Sequence, residues 1–269
     1  HSLRRRQRQM CIRDRVYKDA RPPQGAAGRP VEIRCARNEW EGGQFAITAL
    51  RDLHGVTVKL TELKHPSGYV LPREFVKWNF VGFIPLTKNT PHTPPEELER
   101  KAPCEVPDPL LDARSLDIPK GESRSVWLTV YVPEGAPPGE YRGRAIVKCE
   151  EGSGEVEIRL RVWPFTLPEK RGLFVTNWFS PGNIAKAHGV KLWSDEFWRA
   201  LERWGRDMAE HYQNVALVPR TLVEIRLLPD GSLSFDFSKF DRFVETMERA
   251  GVIGRIEISH LGGRTKGLS

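Results

Sequence analysis

Leu173-Phe174-Val175-Thr176-Asn177-Trp178-Phe179 has the composition of a β-strand, apolar with β-branched and aromatic residues over seven positions. An amphipathic stretch follows from Ser194 to Tyr212. In it Phe197, Leu201, Trp204, Met208 and Tyr212 recur at spacings of four, three, four and four, one face of a helix. Ser194 suits the N-cap, and Asp195 and Glu196 place negative charge on the positive end of the helix dipole. A short apolar run, Val215-Ala216-Leu217-Val218, comes next. A second helix is predicted from Ser238 to Ala250, with Asp241 placed as in a capping box, a stripe of Phe240, Phe243, Val244 and Met247, and Gly251 to stop it. It leads into a third strand, Arg255-Ile256-Glu257-Ile258-Ser259-His260. Strands alternating with helices of this length predict βαβ units and a parallel sheet. Three strands are too few for a closed (β/α)8 barrel, which needs ~250 residues. The expectation is therefore the first part of a TIM barrel, incomplete, over 167–269. Residues 223–237 are expected to form a hairpin turning at Asp230-Gly231, projecting from the C-terminal face where active sites of such barrels lie.

Upstream the period changes. Val156-Glu157-Ile158-Arg159-Leu160-Arg161-Val162 has every even residue apolar and every odd one charged. Val31-Glu32-Ile33-Arg34-Cys35-Ala36, Val56-Thr57-Val58-Lys59-Leu60 and Val126-Trp127-Leu128-Thr129-Val130-Tyr131-Val132 alternate similarly. Period-2 patterning means strands with one face on a core and one in water. Gly42-Gly43, Pro66-Ser67-Gly68, Pro137-Pro138-Gly139 and Gly152-Ser153-Gly154 read as the turns between them. Together these predict a β-sandwich over 30–166. The proline-rich stretch from Pro85 to Pro119 reads as a long loop, functional or mobile. Trp163-Pro164-Phe165-Thr166-Leu167-Pro168 reads as a stiff linker. The expected class is α+β multidomain, an N-terminal β-sandwich followed by a truncated barrel.

The net charge of +7 would suggest an anionic partner, but residues 1–15 hold six Arg and one Asp, so +5 resides there and +2 in the remainder. That leader lacks the apolar segment of a signal peptide. Its stretch RQRQMCIRDR resembles translated sequencing-adapter read-through and is set aside as non-native; residues 16–29 read as a disordered linker. No nucleic-acid partner is expected. No run approaches the ~18–20 apolar residues of a membrane span. Beyond the leader, Cys35, Cys104 and Cys149 are odd in number and have no CxxC spacing, so they read as free thiols with no zinc site or disulfide framework. Compartment stays unknown, with secreted and periplasmic locations both compatible with the sequence.

No GxGxxG, GKS/T, HExxH or GxSxG motif is present, and no metal or other cofactor is expected. Residues at strand C-terminal ends are the candidates for a barrel site. These are Asn177 and Trp178 after the first strand, Arg220 after the second, and His260 and Arg264 after the third. An indole stacks on the C–H face of a pyranose, while amide, imidazole and guanidinium groups hydrogen-bond its hydroxyls, so the set fits a sugar. The competing reading makes Trp178 and His260 core residues. Adjacent acids at Glu96-Glu97, Glu150-Glu151 and Asp195-Glu196 fall in a loop, a turn and a helix start, so no catalytic carboxylate pair is assigned.

Ala36-Arg37-Asn38-Glu39-Trp40-Glu41-Gly42-Gly43-Gln44-Phe45 resembles a segment in the N-terminal domain of glycoside hydrolase family 123 and its relatives. Pro107-Asp108-Pro109-Leu110-Leu111, the stretch from Val132-Pro133 to Pro138-Gly139-Glu140-Tyr141, and His260-Leu261-Gly262-Gly263-Arg264 are similar to the same family, in the same order. The resemblance implies a β-sandwich followed by a catalytic barrel, and a carbohydrate partner, the terminal amino sugar of a glycan. It further implies β-N-acetylgalactosaminidase activity by substrate-assisted retaining hydrolysis. In that chemistry the substrate acetamide attacks the anomeric carbon, an Asp orients it, and an adjacent Glu acts as acid and base. That Asp-Glu pair belongs to a later strand and maps to no residue here, so this fragment is expected to be inactive. The alternative is a non-catalytic carbohydrate-binding or cell-surface interaction protein built on the β-sandwich.

Overall fold

In the computed structural model, which describes residues 15–169 and 172–258, the alternating runs of the N-terminal half form nine strands. They are β1 (Val31–Arg37), β2 (Glu39–Thr48), β3 (Leu53–Leu60), β4 (Val76–Leu86), β5 (Cys104–Leu111), β6 (Ser115–Ile118), β7 (Ser123–Val132), β8 (Gly139–Cys149) and β9 (Gly152–Thr166). Five make one sheet in the order β1-β9-β8-β3-β6, and four make a second in the order β2-β7-β4-β5. Both sheets bury their apolar positions in a single cluster that includes Ile33, Phe80, Ile118, Leu128, Tyr141 and Leu160. The alternation at 156–162 explains how. Ile158, Leu160 and Val162 are buried, whereas Arg159 carries its charge outward to Glu157 at 2.8 Å. Each fully buried Leu, Ile or Phe stabilises by about 1.5–3 kcal/mol relative to exposure.

The segment from Ala36 to Phe45 is a corner of this architecture. Asn38 sits between β1 and β2 with φ 56°, a left-handed conformation that Asn tolerates better than most residues. Its side-chain amide donates to the Leu167 carbonyl at 2.9 Å, and its side-chain oxygen accepts from the Tyr131 hydroxyl at 2.9 Å. The Glu39 carboxylate accepts from the Ala36 backbone N–H at 2.6 Å, closing the turn. Gly42-Gly43, expected as a turn, lies inside β2 opposite Thr129 and Leu128. Glycine is required there by close approach, because a Cβ on Gly42 would stand 2.5 Å from the Trp127 ring. The Tyr141 stretch is another tie: its buried hydroxyl donates to the Pro137 carbonyl at 2.8 Å.

The proline-rich stretch is more ordered than expected, since β5 and β6 both fall within it. Pro107 and Pro109 sit on β5, an edge strand, where the missing N–H costs no ladder bond on the open side. Residues 17–19, in the stretch 16–29 read as a disordered linker, dock on this region. Arg100 stacks over the Tyr17 ring at 3.7 Å and pairs with Asp19 at 2.7 Å, and the Ser123 N–H donates to the Lys18 carbonyl at 2.6 Å.

The chain divides into two compact units, His1–Leu167 and Pro168–Ser269. In the second, α1 (Pro181–Ala187), α2 (Asp195–Glu210) and α3 (Ser238–Arg249) accompany β10 (Val215–Val218), β11 (Glu224–Leu227), β12 (Leu233–Asp236) and β13 (Arg255–Ile258). Ser194 caps α2, its hydroxyl accepting from the Phe197 N–H at 3.3 Å, a bond of about 1 kcal/mol. Phe197 and Leu201 of α2 meet Phe243 and Met247 of α3 over Ala216 and Val218 of β10.

The barrel expectation is overturned. The run 173–179 forms no strand. Among the described residues of the second unit the parallel sheet consists of β10 and β13, paired from Val215–Arg255 to Val218–Ile258. The chain is mostly β among its described residues, and no TIM barrel, partial or otherwise, is evident. The physical reason lies in burial. A parallel strand needs cover on both faces, whereas Leu173, Phe174 and Trp178 are exposed, as are Ile256 and Ile258 of β13. Composition marked these runs as apolar, but among the described residues 173–179 joins no sheet and β13 pairs with β10.

Candidate functional site

Asn214 organises the second unit just before β10. Its side-chain oxygen accepts from the Val175 N–H at 2.8 Å and its amide donates to the Leu173 carbonyl at 2.9 Å. Its backbone carbonyl takes the N–H groups of Gly254 at 2.7 Å and Arg255 at 3.1 Å. One residue thus ties the 173–175 segment to the starts of β10 and β13. Gln213 beside it is buried, and its amide donates to the Asn177 carbonyl at 3.3 Å. The Asn177 amide donates in return to the Gln213 side-chain oxygen at 3.3 Å.

These ties set the place of the 176–178 side chains. The Trp178 indole N–H donates to the Glu257 carboxylate at 3.3 Å, and the Thr176 hydroxyl donates to the same oxygen at 3.2 Å. Glu257 lies on β13, half-buried, opposite Leu217 of β10. Trp178 is 63% exposed, so its ring is surface and not core. A carboxylate bonded to the edge of an accessible indole offers two complementary contacts, a flat apolar face and a strong acceptor. Below them the Arg255 guanidinium stacks on the Phe174 ring at 3.8 Å.

Of the residues expected at the site, Asn177 and Trp178 are adjacent but differently engaged, the amide toward Gln213 and the indole toward Glu257. Arg220 is exposed and opens a single 3-10 turn, Arg220–Leu222, directly after β10 and Pro219. His260 and Arg264 lie outside the described residues. Glu257, Gln213 and Asn214 were not singled out by sequence reasoning. Glu257 had a signal: an acid within a short parallel strand, where an apolar residue is the rule.

One group among the described residues could hold a cation, His54 with Glu150 and Glu151, whose ligand atoms lie within 4.8 Å of one another. It belongs to the first unit, and the His54 ring nitrogen is already engaged by Glu151 at 2.5 Å. Cys35, Cys104 and Cys149 are free, and burial pushes the Cys35 thiol pKa up, away from reactivity. No described helix is long and apolar enough to cross a membrane.

The chain belongs to glycoside hydrolase family 123. The family's N-terminal-domain profile matches residues 13–149, and its catalytic-domain profile matches residues 178–264, the segment that carries Trp178 and Glu257. The fold is similar to that of a family 123 glycoside hydrolase from Clostridium perfringens, described for glycolipid glycan hydrolysis. The TM-score is 0.71 at 16% identity, over 85% of this chain and 43% of that one. This chain therefore spans less than half the length of that relative. A Pseudomonas aeruginosa CupB2 chaperone is matched at a TM-score of 0.24 and 10% identity, over 52% of this chain and 54% of that one, too low to carry an argument. No match was found among curated proteins.

Proposed function

We propose that the chain is the N-terminal portion of a glycosidase of the β-N-acetylgalactosaminidase type, and that its second unit holds part of the sugar-binding surface. The observation that carries this reading is the accessible Trp178 ring with Glu257 bonded to its edge, inside the segment matched by the family's catalytic domain. The indole is the platform for the apolar face of a galactosamine-type ring. Glu257 and Asn177 take ring hydroxyls, and Arg220, His260 and Arg264 complete the set. Family membership supports glycoside hydrolysis, and the glycolipid glycan hydrolysis described for the Clostridium perfringens relative supports a glycan as substrate.

Hydrolysis would be substrate-assisted and retaining. The acetamide oxygen of the substrate attacks the anomeric carbon as a protonated leaving group departs, and water then opens the resulting oxazolinium ring. The orienting Asp and the acid-base Glu are assigned to no residue of this chain, so binding without turnover is expected from it. Titration of the chain with N-acetylgalactosamine, followed by tryptophan fluorescence and calorimetry, tests this. Saturable binding that weakens about tenfold or more in Trp178→Ala is expected, a loss of about 1.4 kcal/mol. Binding unaffected by Trp178→Ala and by Glu257→Gln would refute the site, and hydrolysis by the purified chain would refute its inactivity.

A further inference from the structure

Residues 224–236 form a hairpin whose two faces differ completely. β11 and β12 pair antiparallel with Ile225 opposite Phe235 and Leu227 opposite Leu233, while Glu224 opposes Asp236 and Arg226 opposes Ser234. Side chains alternate along a strand, so the first two pairs share one face and the second two share the other. The polar face is internally satisfied, Glu224 pairing with Arg226 at 3.3 Å and with Lys239 at 2.6 Å. The apolar face is bare: Ile225 is 61% exposed, Leu227 74%, Leu233 54% and Phe235 51%. Phe237 extends it, its ring stacked 6.3 Å from that of Phe235.

Two considerations make this face an interface. A lone two-stranded hairpin is marginal in water and needs its apolar face packed against something. Bare apolar patches larger than a few hundred Å² mark interaction sites on soluble proteins. With about half to three-quarters of each of the five side chains exposed, the patch presents on the order of 500 Å².

We propose that this face is an interface between two copies of the chain. A two-fold contact would bury on the order of 1,000 Å² in all, the least that a specific interface uses, which fits a dimer that forms at micromolar concentration. The same patch must then serve both partners, so any charge on it would meet its own copy. None is present, because Glu224, Arg226 and Asp236 all fall on the other face. Two hairpins stacked face to face would make a small four-stranded sandwich at the usual ~10 Å sheet spacing.

Sedimentation velocity and light scattering on the 269-residue chain test the proposal, from about 1 to 100 μM. A monomer–dimer equilibrium dominated by dimer at the upper end is expected. Leu227→Glu and Phe235→Ser should each weaken it by about tenfold or more. Ser234→Lys, which adds charge to the opposite face, should leave it unchanged. These positions are exposed, and circular dichroism of each variant verifies that the fold is kept. A monomer at every concentration, aggregates larger than a dimer, or a dimer indifferent to both apolar-face variants would overturn the proposal. So would a monomer that pellets with phosphatidylcholine vesicles and loses this through Leu227→Glu, which would assign the face to lipid.

Discussion

Strands β7 and β10 are both apolar runs, yet only one of them is embedded in a sheet built to hold it. β7 has ten residues, neighbours on both sides in β2 and β4, and alternating positions that are fully buried, Val126, Leu128, Val130 and Val132. β10 has four residues and, among the described residues, one strand partner, β13, whose Ile256 and Ile258 remain largely exposed. The difference lies in what each region needs to be complete. An antiparallel strand with one wet face is finished once its own sheet and the facing sheet exist. A parallel pair needs layers on both sides; among the described residues helices α2 and α3 cover Ala216 and Val218 of β10 but leave Ile256 and Ile258, their partners on β13, exposed. The first unit closes its apolar positions into one core, whereas the second leaves apolar side chains of β11, β12 and β13 exposed.

The contrast is sharpest in core substitutions. Phe80 is fully buried and packs edge-on against Trp78 at 5.2 Å between ring centroids. Phe80→Ala should cost about 3–5 kcal/mol in urea unfolding. Leu227→Ala, at an exposed position of the second unit, should move stability by less than about 0.5 kcal/mol in monomer. Similar costs at the two positions would erase the distinction between a finished core and an open surface. A protease should tell the same story, cutting first just after Leu167 and leaving a resistant piece from the first unit. A resistant C-terminal piece would reverse it.

Asn38 gives the next largest effect, and one that separates backbone from side chain. Asn38→Ala removes the bonds to Tyr131 and Leu167 and places a Cβ-bearing residue without local hydrogen bonds at positive φ. A loss of about 2–3 kcal/mol is expected. Asn38→Gly keeps the conformation and loses only the bonds, so about 1–2 kcal/mol should go. Equal losses from the two variants would mean that the turn conformation contributes nothing.

Legibility followed the same divide. The alternation at 156–162 located strand β9 and its buried face because period-2 patterning survives only where one side is wet. Gly42-Gly43 misled, since glycine marks close approach as readily as a turn, and the Trp127 ring that demands it is far away in sequence. The run 173–179 misled more seriously. Strand composition says that residues suit a sheet, not that partners exist, and here the backbone of Val175 bonds to Asn214 without continuing as a ladder. At the candidate site Asn177 and Trp178 were chosen as the end of an expected barrel strand, a strand that 173–179 does not form. Glu257 and the Asn214 tie depend on contacts across 39 residues or more, 79 between Trp178 and Glu257, which no local pattern records.

The smallest expected effect lies in the first unit, at its exposed rim, and tests whether even there the structure is electrostatically tuned. The His54 ring nitrogen meets the Glu151 carboxylate at 2.5 Å, and the other Glu151 oxygen accepts from the His54 N–H at 2.9 Å. The hydrogen bond from Glu151 raises the His54 pKa above 6.5, helped by the charges of Glu151, Asp117 and Glu150. The same bond holds the Glu151 carboxyl down at about 2, well below 4.5. The signs are opposite. The histidine contribution is full below its unfolded pKa of 6.5 and is lost as pH rises through the higher folded value. The glutamate contribution is full above 4.5 and is lost as pH falls toward about 2. The pair therefore stabilises most between pH 4.5 and 6.5. Because both groups face solvent, the effect should be slight and should shrink with added salt. Thermal melts from pH 6 to 9 should show a small decline in Tm at low ionic strength that His54→Asn removes. An imidazole titration by NMR should place the His54 midpoint above that of an unpaired histidine. A midpoint at or below the ordinary value, or a decline that persists in the variant, would mean that the Glu151 pair forms no functional part of the rim.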